Sequence, residues 1–82
     1  MEVYVVIKQG IYMQGIYGIF DKPEKAKEAL LIALKNEKDD YHEFYIDKRT
    51  MNNQGFEETM VFKAEREKEK IIEQVIQPEL FG

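Results

Sequence analysis

The stretch that most constrains the fold is residues 21–40, where apolar side chains recur at the spacing of an amphipathic helix. The stripe has the i, i+3, i+4, i+7, i+8 pattern and consists of Ala26, Ala29, Leu30, Ala33 and Leu34. Asp21 stands at an N-cap position with Glu24 in capping-box spacing, and Pro23 falls in the first turn. Because the alanines are small, we expect this helix to lie close against a sheet.

Four segments around this helix have the composition of strands. Residues 3–7 are β-branched or aromatic on both faces, which is typical of a central strand covered on both sides. Residues 16–20 follow a glycine-containing hairpin segment and predict the second strand. Residues 41–48 and 56–62 alternate in polarity around a turn-rich connector, which predicts a hairpin with Phe56, Met60 and Phe62 on one face.

Residues 64–77 predict a second helix with an unusual charge distribution. Residues 65–70 are charged on every side, and apolar side chains follow only at Ile71, Ile72, Val75 and Ile76. The predicted fold is therefore α+β in the order ββαββα, with a single antiparallel sheet, a helix packed on one face and a C-terminal helix. Residues 1–63 would form the core domain, and residues 64–82 a charged helix with an apolar tail.

Composition bounds the class of protein. The chain has 82 residues, no cysteine and a formal net charge of −4, so one domain without disulfides or thiolate ligands is expected. The acidic balance argues against a nucleic-acid partner, because phosphates require a basic face. The longest apolar runs are too short for a membrane span, and no signal-peptide pattern opens the chain. We expect a cytoplasmic protein with no membrane partner.

Few residues have the pattern of a catalytic or metal site. The one histidine, His42, is near Asp40, but one imidazole with scattered carboxylates is a weak metal signal. The chain has no serine, and its glycines lack the spacing of a phosphate-binding loop. The sequence therefore predicts a binding protein without catalytic residues, metal or cofactor.

Two kinds of assembly follow from apolar and aromatic residues that one small core does not need. The first is a homo-oligomer whose interface would comprise Leu31, Ile32, Ile72 and Ile76. The second is an oligomeric protein that sequesters a small, nucleotide-like ligand by stacking it on Tyr12, Tyr17 and Tyr45.

The C-terminal residues 77–81 read Gln-Pro-Glu-Leu-Phe. They resemble the Q-x-x-L-F peptide with which many bacterial proteins bind the replication sliding clamp, although Pro78 replaces a typical leucine. The resemblance implies partner binding through Gln77, Leu80 and Phe81. The alternative is that Leu80 and Phe81 fold back on the domain as a hydrophobic latch.

The first half of the chain resembles small uncharacterised proteins of bacteriophages and Gram-positive prophages. The resemblance rests on residues 3–6, 16–20 and 25–30. It implies an accessory protein that inhibits or diverts a bacterial protein, including proteins of defence systems. The predicted function is thus a non-enzymatic protein-binding factor, a phage-encoded inhibitor or adaptor. The alternatives are the nucleotide-sequestering protein and the clamp-binding protein.

Overall fold

The computed structural model describes residues 2–10, 14–37, 41–52 and 54–81. This part of the chain forms β1 (Glu2–Gln9), β2 (Gln14–Phe20), α1 (Pro23–Asn36), β3 (Tyr41–Asn52), β4 (Gly55–Glu67), β5 (Lys70–Val75) and a 3-10 helix, Pro78–Leu80. The strands form one antiparallel sheet in the order β2-β1-β3-β4-β5. The predicted α+β class and the single antiparallel sheet are confirmed. None of the helices in the described segments has the length and apolar character that crossing a membrane requires.

The helix α1 packs on one face of the sheet and forms the larger core with it. Four residues of the predicted stripe are buried, and Ala29 lies at the border of the contact. Their partners on the sheet are Tyr4, Val6, Phe44, Ile46, Val61, Phe62 and Ala64. The helical spacing therefore identified the buried face of α1 correctly.

The strand β1 lies between β2 and β3, so the predicted interior position is confirmed, but α1 covers only one of the two faces that were predicted to be covered. Tyr4 and Val6 contribute to the core under α1, whereas Val5 and Ile7 belong to a separate cluster on the opposite face. Because successive side chains of a strand point to opposite faces, β1 supplies apolar surface to both sides of the sheet.

The start of α1 differs from the predicted capping box. The N-cap residue is Lys22, and no side chain caps the first turn. The Asp21 carboxylate lies 3.3 Å from Lys25 Nζ instead, an exposed pair of the kind that contributes little to stability. Pro23 occupies the first turn as predicted.

The predicted C-terminal helix over residues 64–77 is wrong, and the chain order is ββαβββ. Residues 64–67 continue β4, Lys68 and Glu69 form a turn, and β5 then pairs with β4. Lys68 has a φ of 59°, a left-handed conformation that glycine or asparagine usually supplies. The predicted boundary between residues 63 and 64 therefore falls inside a strand of the sheet.

Charged side chains from three strands converge on the C-terminal end of α1. Lys8 Nζ lies 2.6 Å from Glu37 Oε1, and His42 Nε2 lies 3.6 Å from Glu37 Oε2. The Arg66 guanidinium donates to the backbone carbonyls of Leu34 and Glu37. The hydrogen bond from Lys8 holds the pKa of the Glu37 carboxyl below its ordinary value. Since the last carbonyls of a helix lack intrahelical donors, Arg66 joins the end of α1 to β4.

Candidate interaction surface

The face of the sheet opposite α1, called here the open face, carries the feature that most needs explanation. Val5, Ile7 and Tyr45 form a second cluster there, with Val3 packed against it. These three are only 1%, 4% and 7% exposed. Within the described residues no helix contributes to this cluster. The open face thus has its own apolar centre, to which α1 does not contribute.

Exposed apolar side chains surround this centre on the same face. Cross-strand partners share a face, so Ile16 and Ile19 lie beside Ile7 and Val5, and Met60 lies beside Asp47. The other members follow from the same register, and the full set is Ile16, Ile19, Met51, Phe56, Met60 and Ile72. Clusters of exposed apolar side chains on this scale mark interaction sites more often than single exposed residues do.

The most prominent part of this surface is the end of the β3–β4 hairpin. Met51 and Phe56 are direct cross-strand partners there and are 66% and 65% exposed. Residues 54–60 of the hairpin are all exposed. The β5 strand pairs with β4 only from Phe62 onward, so the end of the hairpin extends beyond the sheet's fifth strand.

A β-bulge in β4 decides which side chains reach this surface. The register shifts so that Ile46 is opposite Phe62 while Asp47 is opposite Met60, which leaves Val61 as the extra residue. Val61 and Phe62 are therefore both buried under α1. The prediction that Phe56, Met60 and Phe62 share a face is correct only for the first two.

Ion pairs lie among the apolar residues along β3 and β4, and the Arg49–Glu58 pair separates Met60 from the Met51–Phe56 pair. Glu43 Oε1 lies 3.2 Å from Lys63 Nζ, and Arg49 Nε lies 3.2 Å from Glu58 Oε2. Acidic side chains outnumber basic ones among the residues of β3 and β4 that share this face. A partner of this surface would therefore need an apolar contact area with a basic border.

Asp47 is the buried polar residue of the open face, at 9% exposure. Burial raises the pKa of its carboxyl, the Glu58 carboxylate raises it further, and Arg49 opposes both effects. Burial is also the largest cause of the raised pKa of Tyr45, with Asp47 second. The ionised form of Asp47 is therefore held in unfavourable surroundings on this surface.

Replacing Asp47 by asparagine is expected to raise the melting temperature at pH 7. A raised folded-state pKa means that the folded protein binds the Asp47 proton more tightly than the unfolded chain does. The parent therefore loses stability as the pH rises from the unfolded value near 4 through the folded-state value. Each kcal/mol added to the free energy of unfolding would raise the melting temperature by roughly 4–8 °C in a domain of this size.

The measurement is a series of thermal melts of Asp47→Asn and the parent between pH 3 and 8. The difference between the two melting temperatures should shrink toward acid pH, because Asp47 of the parent is then protonated and neutral, like asparagine. Asp21→Asn is the control, because its side chain is 72% exposed and such substitutions are usually nearly neutral. An Asp47→Asn protein that melts below the parent at pH 7 would contradict the proposed electrostatic cost.

The predicted C-terminal binding residues are partly inside the fold. Leu80 and Phe81 pack against the core under α1. The Phe81 ring lies 5.3 Å from the Phe62 ring, and Lys27 Nζ lies over both rings. The backbone N–H groups of Ile76 and Gln77 donate to the Val61 carbonyl. Two of the three anchors of the clamp-binding hypothesis are therefore engaged by the domain, which favours the latch alternative.

Of the three tyrosines of the ligand-stacking hypothesis, the two that the structure describes, Tyr17 and Tyr45, are not brought together. Tyr12 lies outside the described residues. The Tyr17 ring contacts the Phe44 ring edge-on at a centroid distance of 5.7 Å, on the side of α1. Tyr45 belongs to the cluster of the open face. Since Tyr17 and Tyr45 lie on opposite sides of the sheet, they cannot stack on one ligand within a single subunit.

The residues predicted for an oligomer interface do not share one surface either. Leu31 is partly buried against the core, whereas Ile32 on the same helix is 53% exposed. Ile72 is the cross-strand partner of Glu65 and so lies on the open face. Ile76 follows β5 and is 40% exposed. These four residues therefore do not form one continuous oligomer interface.

His42 belongs to the charged cluster at the end of α1. Its Nε2 lies 3.6 Å from Glu37 Oε2, and Asp40 lies outside the described residues. Among the described residues no group of three or more histidine, cysteine or carboxylate side chains is arranged to hold a metal ion.

An open groove lies at the β4–β5 turn, lined by Glu67, Lys68, Glu69, Lys70 and Ile72.

The sequence did not identify Met51 and Phe56 as a surface pair. Residues 51–55 have the composition of a connector, and the pairing of Met51 with Phe56 depends on the hairpin extending through it. The apolar residues on either side of the Asn-Asn-Gln-Gly segment were the only sign of this surface pair in the sequence.

Comparisons of the chain with protein-family models, with curated proteins and with solved structures each gave no match.

Proposed function

We propose that this protein acts by binding another protein through its open face, with the end of the β3–β4 hairpin at the centre of the contact. The observation that carries the proposal is the exposed Met51–Phe56 pair, with the exposed Met60 farther along the same face, beyond the Arg49–Glu58 ion pair. Aromatic and methionine side chains are enriched in the centres of protein interfaces. The ion pairs beside these residues add the polar contacts that protein interfaces combine with their apolar centres.

The partner that fits this surface has an apolar contact area bordered by basic side chains. The acidic excess of β3 and β4 on the open face supports this, as does the net charge of −4. Inhibition or diversion of a bacterial protein, the role implied by the resemblance to phage accessory proteins, is the proposed setting. Binding rather than catalysis would then be the activity.

Replacing Phe56 by glutamate should remove most of the binding while the fold persists. Truncating an aromatic residue at an interface centre commonly costs 2 kcal/mol or more, which is roughly a thirtyfold loss of affinity. Phe56 is 65% exposed, so the substitution places no charge in the core. The melting temperature should therefore remain close to that of the parent.

The test is quantitative capture from bacterial lysate with immobilised parent, Phe56→Glu and Ile32→Glu. The last is the matched control, because it adds the same charge at an exposed isoleucine of α1. A protein retained by the parent and by Ile32→Glu but lost from Phe56→Glu supports the proposal. Retention on all three proteins, or loss from Ile32→Glu alone, would place the contact elsewhere. An acidic binding site also predicts weaker capture at higher salt.

A further inference from the structure

The edge strand β2 carries large side chains that are exposed on both of its faces. Ile16 and Ile19 are 60% and 61% exposed on the open face. Tyr17, which contacts Phe44 on the side of α1, is 54% exposed. The only described strand that pairs with β2 is β1. The strand therefore presents apolar side chains on both faces together with one edge of backbone groups.

The composition of β2 lacks the usual protection of an edge strand. In natural proteins, edge strands are commonly protected from pairing by charged side chains or proline, or because they are very short. Residues 14–20 contain no Asp, Glu, Lys, Arg or Pro. The other side of the sheet is different, because β5 carries Lys70 and Glu73, and the unpaired end of β4 carries Glu57 and Glu58. Of the two sides, only that of β2 is uncharged.

We propose that β2 is a self-association strand, which pairs antiparallel with β2 of a second copy and joins the two sheets into one. A two-fold axis perpendicular to the sheet makes this pairing antiparallel automatically, with the same residues contributed by both copies. Ile16 and Ile19 of the two copies then meet on the open face, and the Tyr17 side chains meet on the other side.

The absence of charged side chains from β2 makes it the edge at which a second copy meets the least repulsion. Each molecule has a net charge of −4, and two such molecules repel least where neither carries a charge. An edge contact of seven residues buries less than the roughly 800 Å² per partner of a standard interface. We therefore expect association in the micromolar range rather than a permanent dimer.

A bulge interrupts β2 and affects where pairing can occur. The register with β1 shifts between Val6 and Ile7, which leaves Tyr17 as the extra residue. Bulges can turn an edge away from a neighbouring strand. Residues 18–20 and 14–16 on its two sides keep a regular register with β1, so either half is able to pair.

The first experiment is sedimentation of the parent, Ile19→Lys and Ile32→Lys over a range of concentrations, with a thermal melt of each. The parent and the Ile32→Lys control should shift from monomer to dimer as concentration rises. Like charges brought together by Ile19→Lys should weaken the dimer by about a hundredfold or more. A parent that stays at the 9.8 kDa monomer mass at roughly 1 mM, or equal association of all three proteins, would overturn the proposal.

A second experiment detects the dimer directly, by disulfide crosslinking between two copies. The chain has no cysteine, so Ile16→Cys, Tyr17→Cys and Ile19→Cys each introduce a single thiol, and Ile32→Cys is the control. The position nearest the two-fold axis should form a disulfide-linked dimer under mild oxidation, faster than the control. Crosslinking no faster than the control at all three positions would overturn the proposal. The result is independent of the Phe56→Glu test, because the substitutions lie on a different strand.

Discussion

A protein carrying Leu30→Asp should be unfolded at room temperature. Leu30 is fully buried at the centre of the contact between α1 and the sheet. An unpaired charge at such a position costs several kcal/mol, in addition to the lost burial of the leucine side chain. This approaches the whole stability of a domain of this size, which is typically about 5–15 kcal/mol. Far-ultraviolet circular dichroism should show the loss of helix and strand signals.

The control for this prediction lies on the same helix. Ile32 is 53% exposed, so Ile32→Asp carries the same charge without placing it in the core and should melt close to the parent. If Leu30→Asp retained the parent's cooperative melt, the assigned buried face of α1 would be wrong.

Replacing Leu80 and Phe81 together by alanine should lower the melting temperature by about 10 °C or more. Both side chains are half-buried against the core, and the Phe81 ring packs on the buried Phe62 ring. Their truncation should cost about 2–4 kcal/mol in total, less than for two fully buried residues. At roughly 4–8 °C per kcal/mol, this is a large shift for the last described residues of a chain.

The same double variant decides between the latch and the clamp-binding peptide. The latch predicts lower stability for the variant and no heat of binding when the parent is titrated with a purified bacterial sliding clamp. A clamp-binding tail predicts the reverse: micromolar binding by the parent, and a variant that melts normally and does not bind. Glu79→Ala is the control, because Glu79 is an exposed residue directly before the two packed positions.

The helix α1 was predictable because its sequence signals agree with one another. The spacing of the apolar stripe and Pro23 in the first turn both indicate the same element. The position of β1 in the interior of the sheet followed in the same way from the apolar residues on both of its faces. The Asp21 cap was wrong because Asp21 pairs with Lys25 and the N-cap falls on Lys22.

The β4–β5 hairpin could not be predicted from residues 64–77 because its turn gives no recognisable signal. Lys68 adopts a positive φ without glycine or asparagine, and the charges of residues 65–70 suit a solvated helix equally well. A solvated helix would leave Arg66 exposed, whereas its guanidinium in fact reaches the end of α1. That contact joins residues 32 positions apart in the chain, a distance over which helical or strand periodicity carries no information.

The open face could not be recognised from the sequence for two reasons. Bulges in β2 and β4 shift the alternation of side chains, and the β3–β4 hairpin is longer than predicted. A single extra residue at Val61 transfers Phe62 to the side of α1 and leaves Met60 on the other side. Periodicity assumes an uninterrupted register, so it assigned these residues to one face. The apolar centre formed by Val5, Ile7 and Tyr45 depends on three-dimensional pairing that sequence spacing alone does not give.

The extension of the β3–β4 hairpin beyond β5 has a consequence for local opening and amide exchange. Residues 55–60 of β4 pair only with β3, and all of them are exposed. Segments with few buried contacts open at much lower free energy than the core does, so their amides exchange early with solvent. Residues 61–64, which include three fully buried side chains, should exchange last within the same strand. One strand would then contain both an adaptable docking end and a slowly exchanging base that anchors it.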